Sequence, residues 1–158
     1  MNKYYTPKIE EFYVGFEYES LELGSQTKFN KDIVTDNHLY GDYDQNTLLS
    51  EIYFHPERAR VKYLDKADIE SLGFKDYKKS VCNWYKLEGR FEDSFSSYGY
   101  WSKIRLIHCP DNNVIKILAY EYSWDEEENV LYAGKCNNKS ELKKLLTQLS
   151  ILKDGEEK

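Results

Sequence analysis

Residues 103–124 read KIRLIHCPDNNVIKILAYEYSW, and this stretch decides the predicted fold of the chain. It contains two runs, 103–109 and 114–124, in which apolar and aromatic residues partly alternate with polar ones. A period of two is typical of a β-strand with one buried face. The residues between the runs, Pro-Asp-Asn-Asn at 110–113, all favour turns, so the stretch predicts an antiparallel hairpin. The predicted common face of the second strand holds Leu118, Tyr120, Tyr122 and Trp124.

The hairpin extends into a predicted three-stranded meander over residues 103–135. The acidic run at 125–128 begins a second turn, and residues 130–135 have the composition of a strand that pairs back. Earlier in the chain, residues 59–64 and 82–88 also have the composition of strands.

Residues 11–19 alternate clearly and predict another half-buried strand. Residues 24–47 show no clean period and predict a long connection, with a short strand at 33–34. Residues 48–54 are expected to be ordered and to end before Pro56, because the residue that precedes a proline avoids the helical region. The predicted apolar face of the first strand holds Phe12, Val14, Phe16 and Tyr18.

Two helices are predicted from capping residues and spacing. Asp65 is the expected N-cap of a short helix over residues 66–72, and Gly73 is its expected end. Asn138 and Glu141 have the spacing of an N-cap and the third helical residue. The leucines that then follow helical spacing are Leu142, Leu145, Leu146, Leu149 and Leu152.

These elements predict an α+β fold, in which the C-terminal amphipathic helix packs on one face of an antiparallel sheet beside one short internal helix. A chain of 158 residues is most simply a single domain, so one domain is expected over residues 1–158, with a disordered tail at 154–158. Apolar residues make up 41% of the chain, enough to form a core.

Composition also bears on location. No apolar run approaches the about 20 residues that a membrane-spanning helix needs, and residues 1–5 lack the apolar region of a signal peptide. Cys82, Cys109 and Cys136 are odd in number and too widely spaced for a CxxC motif, so free thiols in a reducing compartment are expected. A soluble protein in the cytoplasm of a bacterial host cell is therefore predicted.

Charge is unevenly distributed along the chain. Residues 9–57 carry a net charge of −9, residues 58–116 carry +4, and residues 117–158 carry −3. With a pI of 5.2 the chain is not expected to bind nucleic acid in general, because phosphate contacts need clustered lysine and arginine. The middle third can still form a local basic patch, although solvated strand and helix faces explain the same charges.

Candidate catalytic and metal-binding residues are few. Glu17 and Glu19 fall on one strand face, a spacing seen in carboxylate pairs and equally on any solvent face. Asp42, Asp44 and Asn46 imitate the first positions of a calcium loop, but Thr47 and Tyr53 stand where that loop needs glycine and glutamate. His38, His55 and His108 lie far apart and belong to no recognised metal motif. No cofactor, metal or enzymatic activity is expected.

An aromatic, serine-rich stretch at residues 91–102 is the most unusual feature of the composition. Rigid aromatic anchors among small polar residues are typical of binding loops, and local core packing explains them equally well. The aromatic residues that stand among its serines and its glycine are Phe95, Tyr98, Tyr100 and Trp101.

Three groups of residues resemble small uncharacterised proteins of bacteriophages and mobile elements in Bacteroidota-type bacteria. The opening is YYTP at 4–7, IEEF at 9–12 and GFEYE at 15–19; the middle is VKYLD at 61–65 and DIESLGF at 68–74; the closing helix is NKSELKKLL at 138–146. The resemblance covers about a quarter of the chain and implies a phage or prophage setting, without site residues.

The sequence thus predicts a non-enzymatic protein-binding protein, with a counter-defence inhibitor of the anti-CRISPR kind as its sharper form. The expected partner is a protein with a basic surface, such as a CRISPR effector nuclease, which acidic residues attract. The alternatives are a small-ligand or nucleotide-binding module, with aromatics on a base and the middle-third cations on phosphate, and a hydrolase. The predicted binding residues are Glu126, Glu127, Glu128, Phe95, Tyr98, Tyr100 and Trp101.

Overall fold

A computed structural model describes residues 3–40, 48–79, 82–92, 100–121 and 128–152 of the protein. The chain forms two compact units, Met1–Tyr63 and Leu64–Lys158, called here the first and second units. Each unit has its own antiparallel sheet and its own buried apolar cluster. The predicted single domain stays a prediction, because two compact units can belong to one cooperative domain.

The first unit is a four-stranded antiparallel sheet with short helices. In chain order its elements are β1 (Tyr4–Tyr5), β2 (Glu17–Leu21), β3 (Phe29–Ile33), α1 (Asp36–Tyr40), α2 (Leu48–Phe54) and β4 (Ala59–Lys62), with 3₁₀ turns at Ile9–Glu11 and Pro56–Arg58. The strand order is β1-β4-β2-β3. Its core consists of Phe12, Phe16, Tyr18, Val34, Ile52, Ala59 and Val61.

The strand predicted over residues 11–19 is wrong in its first half. A 3₁₀ turn occupies Ile9–Glu11 and β2 begins only at Glu17, while Val14 is 48% exposed. Gly15 has a φ of +89°, a left-handed conformation that interrupts an extended strand. Phe12 is nevertheless buried, because the turn returns its ring to the ring of Phe16, with centroids 5.2 Å apart.

The second unit is a five-stranded antiparallel meander with two helices. Its elements are α3 (Lys66–Ser71), β5 (Lys75–Lys79), β6 (Asn83–Glu92), β7 (Tyr100–Cys109), β8 (Val114–Glu121), β9 (Glu128–Lys135) and α4 (Lys139–Gln148). The strands lie side by side in sequence order. The predicted meander at 103–135 and both predicted helices are confirmed, whereas β5 was not predicted because its sequence KDYKK lacks alternating apolar residues.

The α+β class is therefore confirmed, with two differences among the described residues. The protein has two sheets where one was predicted, and three internal α-helices, α1 to α3, where one was predicted. None of the described helices is long and apolar enough to cross a membrane.

Helix α4 packs on one face of the second sheet. Leu142 and Leu146 are fully buried in a cluster that includes Ile104, Leu106 and Ile117. The helix begins where Asn138 Oδ1 accepts a hydrogen bond from the backbone N–H of Glu141, at 2.9 Å. In a capping box Glu141 would accept a hydrogen bond from the N–H of the N-cap residue, Asn138. In the structure it accepts instead from the N–H of the preceding residue, Asn137. The leucine stripe is thus core.

The cysteine prediction is wrong for two of the three residues. Strands β6 and β7 pair Asn83 with His108, so the flanking residues Cys82 and Cys109 stand opposite each other and form a disulfide with Cα atoms 4.5 Å apart. Cys136 is free and buried, and burial raises the pKa of its thiol to about 12. That thiol is protonated at neutral pH and is a poor nucleophile. The argument for a reducing compartment rested on three free thiols and loses its support.

His108 is a buried polar residue whose hydrogen-bonding groups are not satisfied within the described part of the chain. It is 1% exposed, and neither ring nitrogen has a hydrogen-bond partner among the described residues. Burial lowers the pKa of His108 from its usual 6.5, an effect that the charge of Asp65 partly opposes. The neutral imidazole is therefore the form compatible with the folded state.

Replacing Leu146 with alanine should lower the free energy of unfolding by about 2–5 kcal/mol, because the substitution leaves a cavity in a fully buried position. Urea unfolding followed by circular dichroism measures the loss. Lys144→Ala, on the exposed side of α4, is the matched control and should change stability by less than about 0.5 kcal/mol. Equal midpoints for both variants would contradict the core assignment.

Stability should fall as the pH falls below the ordinary histidine pKa, partly because of His108. The pKa of His108 in the folded protein lies below 6.5, the usual value in an unfolded chain. Below pH 6.5 the unfolded chain therefore binds more protons than the folded protein, and the free energy of unfolding falls. In His108→Leu the loss of stability between pH 7.5 and 5 should be smaller, by up to about 1.4 kcal/mol per pH unit. Urea unfolding across this range tests it. Gln148→Ala, at an exposed and uncharged position of α4, is the control and should keep the wild-type dependence.

Candidate functional site

The predicted binding residues are only partly described. Tyr100 and Trp101 are the first residues of β7, and their backbones pair with Glu92 and Phe91 of β6. Glu128 is the first residue of β9. The predicted residues that lie outside the described part of the chain are Phe95, Tyr98, Glu126 and Glu127.

Glu128 makes contacts within its own sheet. Its Oε2 accepts a hydrogen bond from the Tyr120 hydroxyl at 2.8 Å, and its Oε1 lies 3.5 Å from Lys116 Nζ. The side chain is still 44% exposed, so it remains accessible. Glu128 therefore binds two side chains of the neighbouring strand β8, a contact that the sequence does not indicate.

In the carboxylate pair at Glu17 and Glu19, the described contacts engage Glu19 in an ion pair. Glu19 Oε2 accepts from both Nε and Nη2 of Arg60 at 2.7 Å. The Arg60 guanidinium lies between the rings of Tyr4 and Phe29, 4.0 and 3.9 Å from their centroids. This arrangement is a structural clamp between β2 and β4.

The histidines and the calcium-like loop give no metal site in the described part of the chain. The calcium-like residues Asp42, Asp44 and Asn46 lie outside it. Within it, no group of three His, Cys, Asp or Glu side chains is arranged to hold a metal ion. His38 Nδ1 accepts a hydrogen bond from the N–H of Thr35, and His55 Nδ1 lies 3.4 Å from Glu57.

A cavity of about 360 Å³ opens in the first unit, and its polar groups are largely used by the fold. Asp32 Oδ2 accepts from the Tyr18 hydroxyl at 3.1 Å, and Oδ1 accepts from the following backbone N–H. The cavity is therefore a weaker candidate than the surface described next. Its lining includes Tyr18, Ser20, Asn30, Asp32, His38 and Arg58.

The face of the second sheet opposite the core is unusually basic. Strand alternation sends Tyr85, Leu106 and Ile117 into the core beside α4, so the residues between them project to the other face. We call this surface the basic sheet face. Its defining residues are Lys75, Tyr77, Trp84, Lys86, Lys103, Arg105, Lys116 and Tyr120.

Three cations stand side by side across this face. The pairing register places Lys75 opposite Lys86, and Lys86 opposite Arg105. The same row continues through Leu118, which is fully buried, and Val130, so it contains no acidic residue. Like charges directly opposite each other in a sheet repel, and an anion bound to the row would reduce this repulsion.

Tyr77 lies beside this cation row and is accessible. Its ring centroid is 5.8 Å from Lys86 Nζ and 5.3 Å from Arg105 Cζ, and the residue is 50% exposed. The ring partly offsets the repulsion between the two cations through cation–π attraction. It also presents an aromatic surface to solvent next to two positive charges.

Arg105 is held in a defined position. Its Nη1 donates a hydrogen bond to the Tyr120 oxygen at 2.9 Å, and the Tyr120 hydroxyl donates onward to Glu128. The guanidinium also lies 4.4 Å from the centroid of the Tyr120 ring. Burial, followed by the bond to Glu128, raises the pKa of Tyr120, which therefore stays a neutral donor. The cation is thus pre-organised for an incoming ligand.

A second cross-strand row lies next to the first. Trp84 stands opposite Ile107, which stands opposite Lys116. Trp84 is half-buried, and the Lys116 side chain is 40% exposed. The signal available in the sequence was the net +4 of residues 58–116.

No family model matches this chain, and comparisons with curated proteins and with solved structures found no match. Its function is therefore inferred from the geometry of the basic sheet face.

Lys75→Glu should raise the free energy of unfolding by about 0.2–1 kcal/mol at low salt, because it turns a repulsive cross-strand pair with Lys86 into an attractive one. The gain should shrink at 1 M salt, where the screening length is about 3 Å. Lys75→Gln, which only removes the charge, should give a smaller gain. A destabilised glutamate variant would show that repulsion in the row is negligible.

Proposed function

We propose that the protein is a non-catalytic binding protein that holds a phosphate-bearing ligand on the basic sheet face. The observation that carries the proposal is the uninterrupted row of Lys75, Lys86 and Arg105. Among these, Arg105 offers a planar fork of donors that suits phosphate oxygens, and the lysines act as point charges. A bound anion would offset the repulsion within the row.

The groups on this face suit binding rather than bond cleavage. The face offers cations for phosphate and the rings of Tyr77 and Trp84 for a base, the combination expected of a nucleotide-binding module. Glu128, the acidic side chain described there, is engaged by Tyr120 and Lys116. The proposal therefore assigns no reaction to the face.

The protein-binding and counter-defence role stays a prediction from the sequence. It depends mainly on Phe95, Tyr98, Glu126 and Glu127, which lie outside the described residues, so the geometry supplies no argument for it. The phage setting and the cytoplasmic location likewise stay predictions. The basic sheet face would attract an anionic partner, whereas the predicted role needs a basic one.

Titration with ATP at about 50 mM salt tests the proposed function. Amide chemical shifts should change mainly in β5, β6 and β7, and Arg105→Ala should weaken binding by about tenfold or more, since hydrogen bonds to charged groups contribute about 1.5–3 kcal/mol. Lys144→Ala on α4 is the charge-matched control and should bind as the wild type does. Shift changes confined to the first unit, or equal affinity of both variants, would overturn the assignment of the site.

A further inference from the structure

We infer that the ligand of the basic sheet face is a single-stranded nucleic acid, an inference that rests on the proposed function and specifies its ligand class. The cations of the basic sheet face extend across the whole width of the second sheet. Every strand of the second sheet places at least one cation on this face. They are Lys75, Lys86, Lys103 with Arg105, Lys116 and Lys135, on β5 to β9 respectively.

The extent of this cation track argues for an extended polyanion. Neighbouring strands lie about 4.8 Å apart, so the cations of five strands span about 19 Å across the sheet. The track runs diagonally, because Lys116 and Lys135 lie in rows that are displaced along the strands from the row of Arg105. The phosphates of one nucleotide are clustered at one end of the molecule and meet only part of such a track. A strand with successive phosphates can follow the track from β5 towards β9, and each neutralised phosphate releases counterions.

The aromatic residues argue for unpaired bases. Tyr77 is half exposed beside the cation row, and Trp84 is partly exposed on the neighbouring row. Both rings can stack on a base that is free of its own stack, as in proteins that bind single strands through a sheet platform. A duplex keeps its bases stacked inside the helix, so it would leave these rings without partners.

The net charge of the chain is consistent with a short, local contact. The protein carries −6 overall, so it has no general attraction for polyanions, and affinity must come from the track and the rings together. Glu128, the first residue of β9, adds one negative charge beside Lys116. The strongest contacts should therefore lie on β5, β6 and β7, where the cation row contains no acid.

The test is fluorescence anisotropy with labelled twelve-nucleotide oligo-dT and oligo-rU, with a duplex of equal length, and with poly-glutamate as a competitor. Both single strands should bind, and the duplex should bind at least tenfold more weakly. Three to five phosphate contacts give a slope of log affinity against log salt of about −2 to −3.5. Lys86→Ala and Arg105→Ala should each reduce the magnitude of this slope by about 0.7.

Trp84→Ala separates stacking from charge. It should weaken single-strand binding about 5- to 150-fold with the salt slope unchanged, and Trp84→Phe should restore most of the affinity. Tyr53→Ala, which removes an aromatic ring that is 71% exposed in the first unit, is the control and should bind normally. Urea midpoints close to that of the wild type show that each variant is folded.

The outcomes distinguish the two proposals. If ATP binds at the face and oligonucleotides bind no more tightly than ATP, the proposed function stands and the single-strand inference fails. Equal affinity for duplex and single strand also overturns the inference. If poly-glutamate displaces the oligonucleotide and Trp84→Ala leaves the affinity unchanged, the inference fails in favour of an acidic protein partner. If neither ATP nor oligonucleotide binds, both proposals fail.

Discussion

The antiparallel register that pairs residues 83–88 of β6 with 103–108 of β7, and 103–109 of β7 with 114–120 of β8, determines which side chains the second sheet presents on each face. Because side chains alternate, the register that buries Tyr85, Leu106 and Ile117 against α4 also aligns Lys86 with Arg105 on the other face. A shift of one residue would send charges into the core and apolar residues outward. The turn at residues 110–113, in which Asn113 takes a positive φ of 54°, fixes the register of β7 and β8. The Cys82–Cys109 disulfide fixes that of β6 and β7.

The proposed function of the basic sheet face implies a conflict between stability and binding. Three adjacent cations repel one another, and contacts with neighbouring side chains reduce this repulsion. Tyr77 lies over Lys86 and Arg105, and Tyr120 both accepts a hydrogen bond from Arg105 and underlies its guanidinium. Rigid strands and these contacts hold the charges together at a cost in stability, a pattern expected where a site must be ready before its ligand arrives.

The first unit handles charge in the opposite way. Arg60, on the face of β4 opposite the core, is paired with Glu19 and enclosed by two rings, so its charge is used to join strands. This contrast shows why the net charge of a segment does not say where its charged side chains lie in the structure. The acidic balance of residues 9–57 is partly consumed in such internal contacts, whereas the modest positive balance of residues 58–116 is concentrated on one face of one sheet.

The sequence by itself determined the elements whose signals are local. Alternation around a strong turn predicted β7 and β8, capping residues predicted α3 and α4, and the leucine spacing predicted which side of α4 is buried. Only the tertiary structure decided the rest, because it depends on which strands become neighbours. Pairing of β6 with β7 joined Cys82 to Cys109, and pairing of β5, β6 and β7 aligned Lys75, Lys86 and Arg105. No periodicity within a single strand records the identity of the residue across the sheet, so neither the disulfide nor the candidate site could be predicted from the sequence.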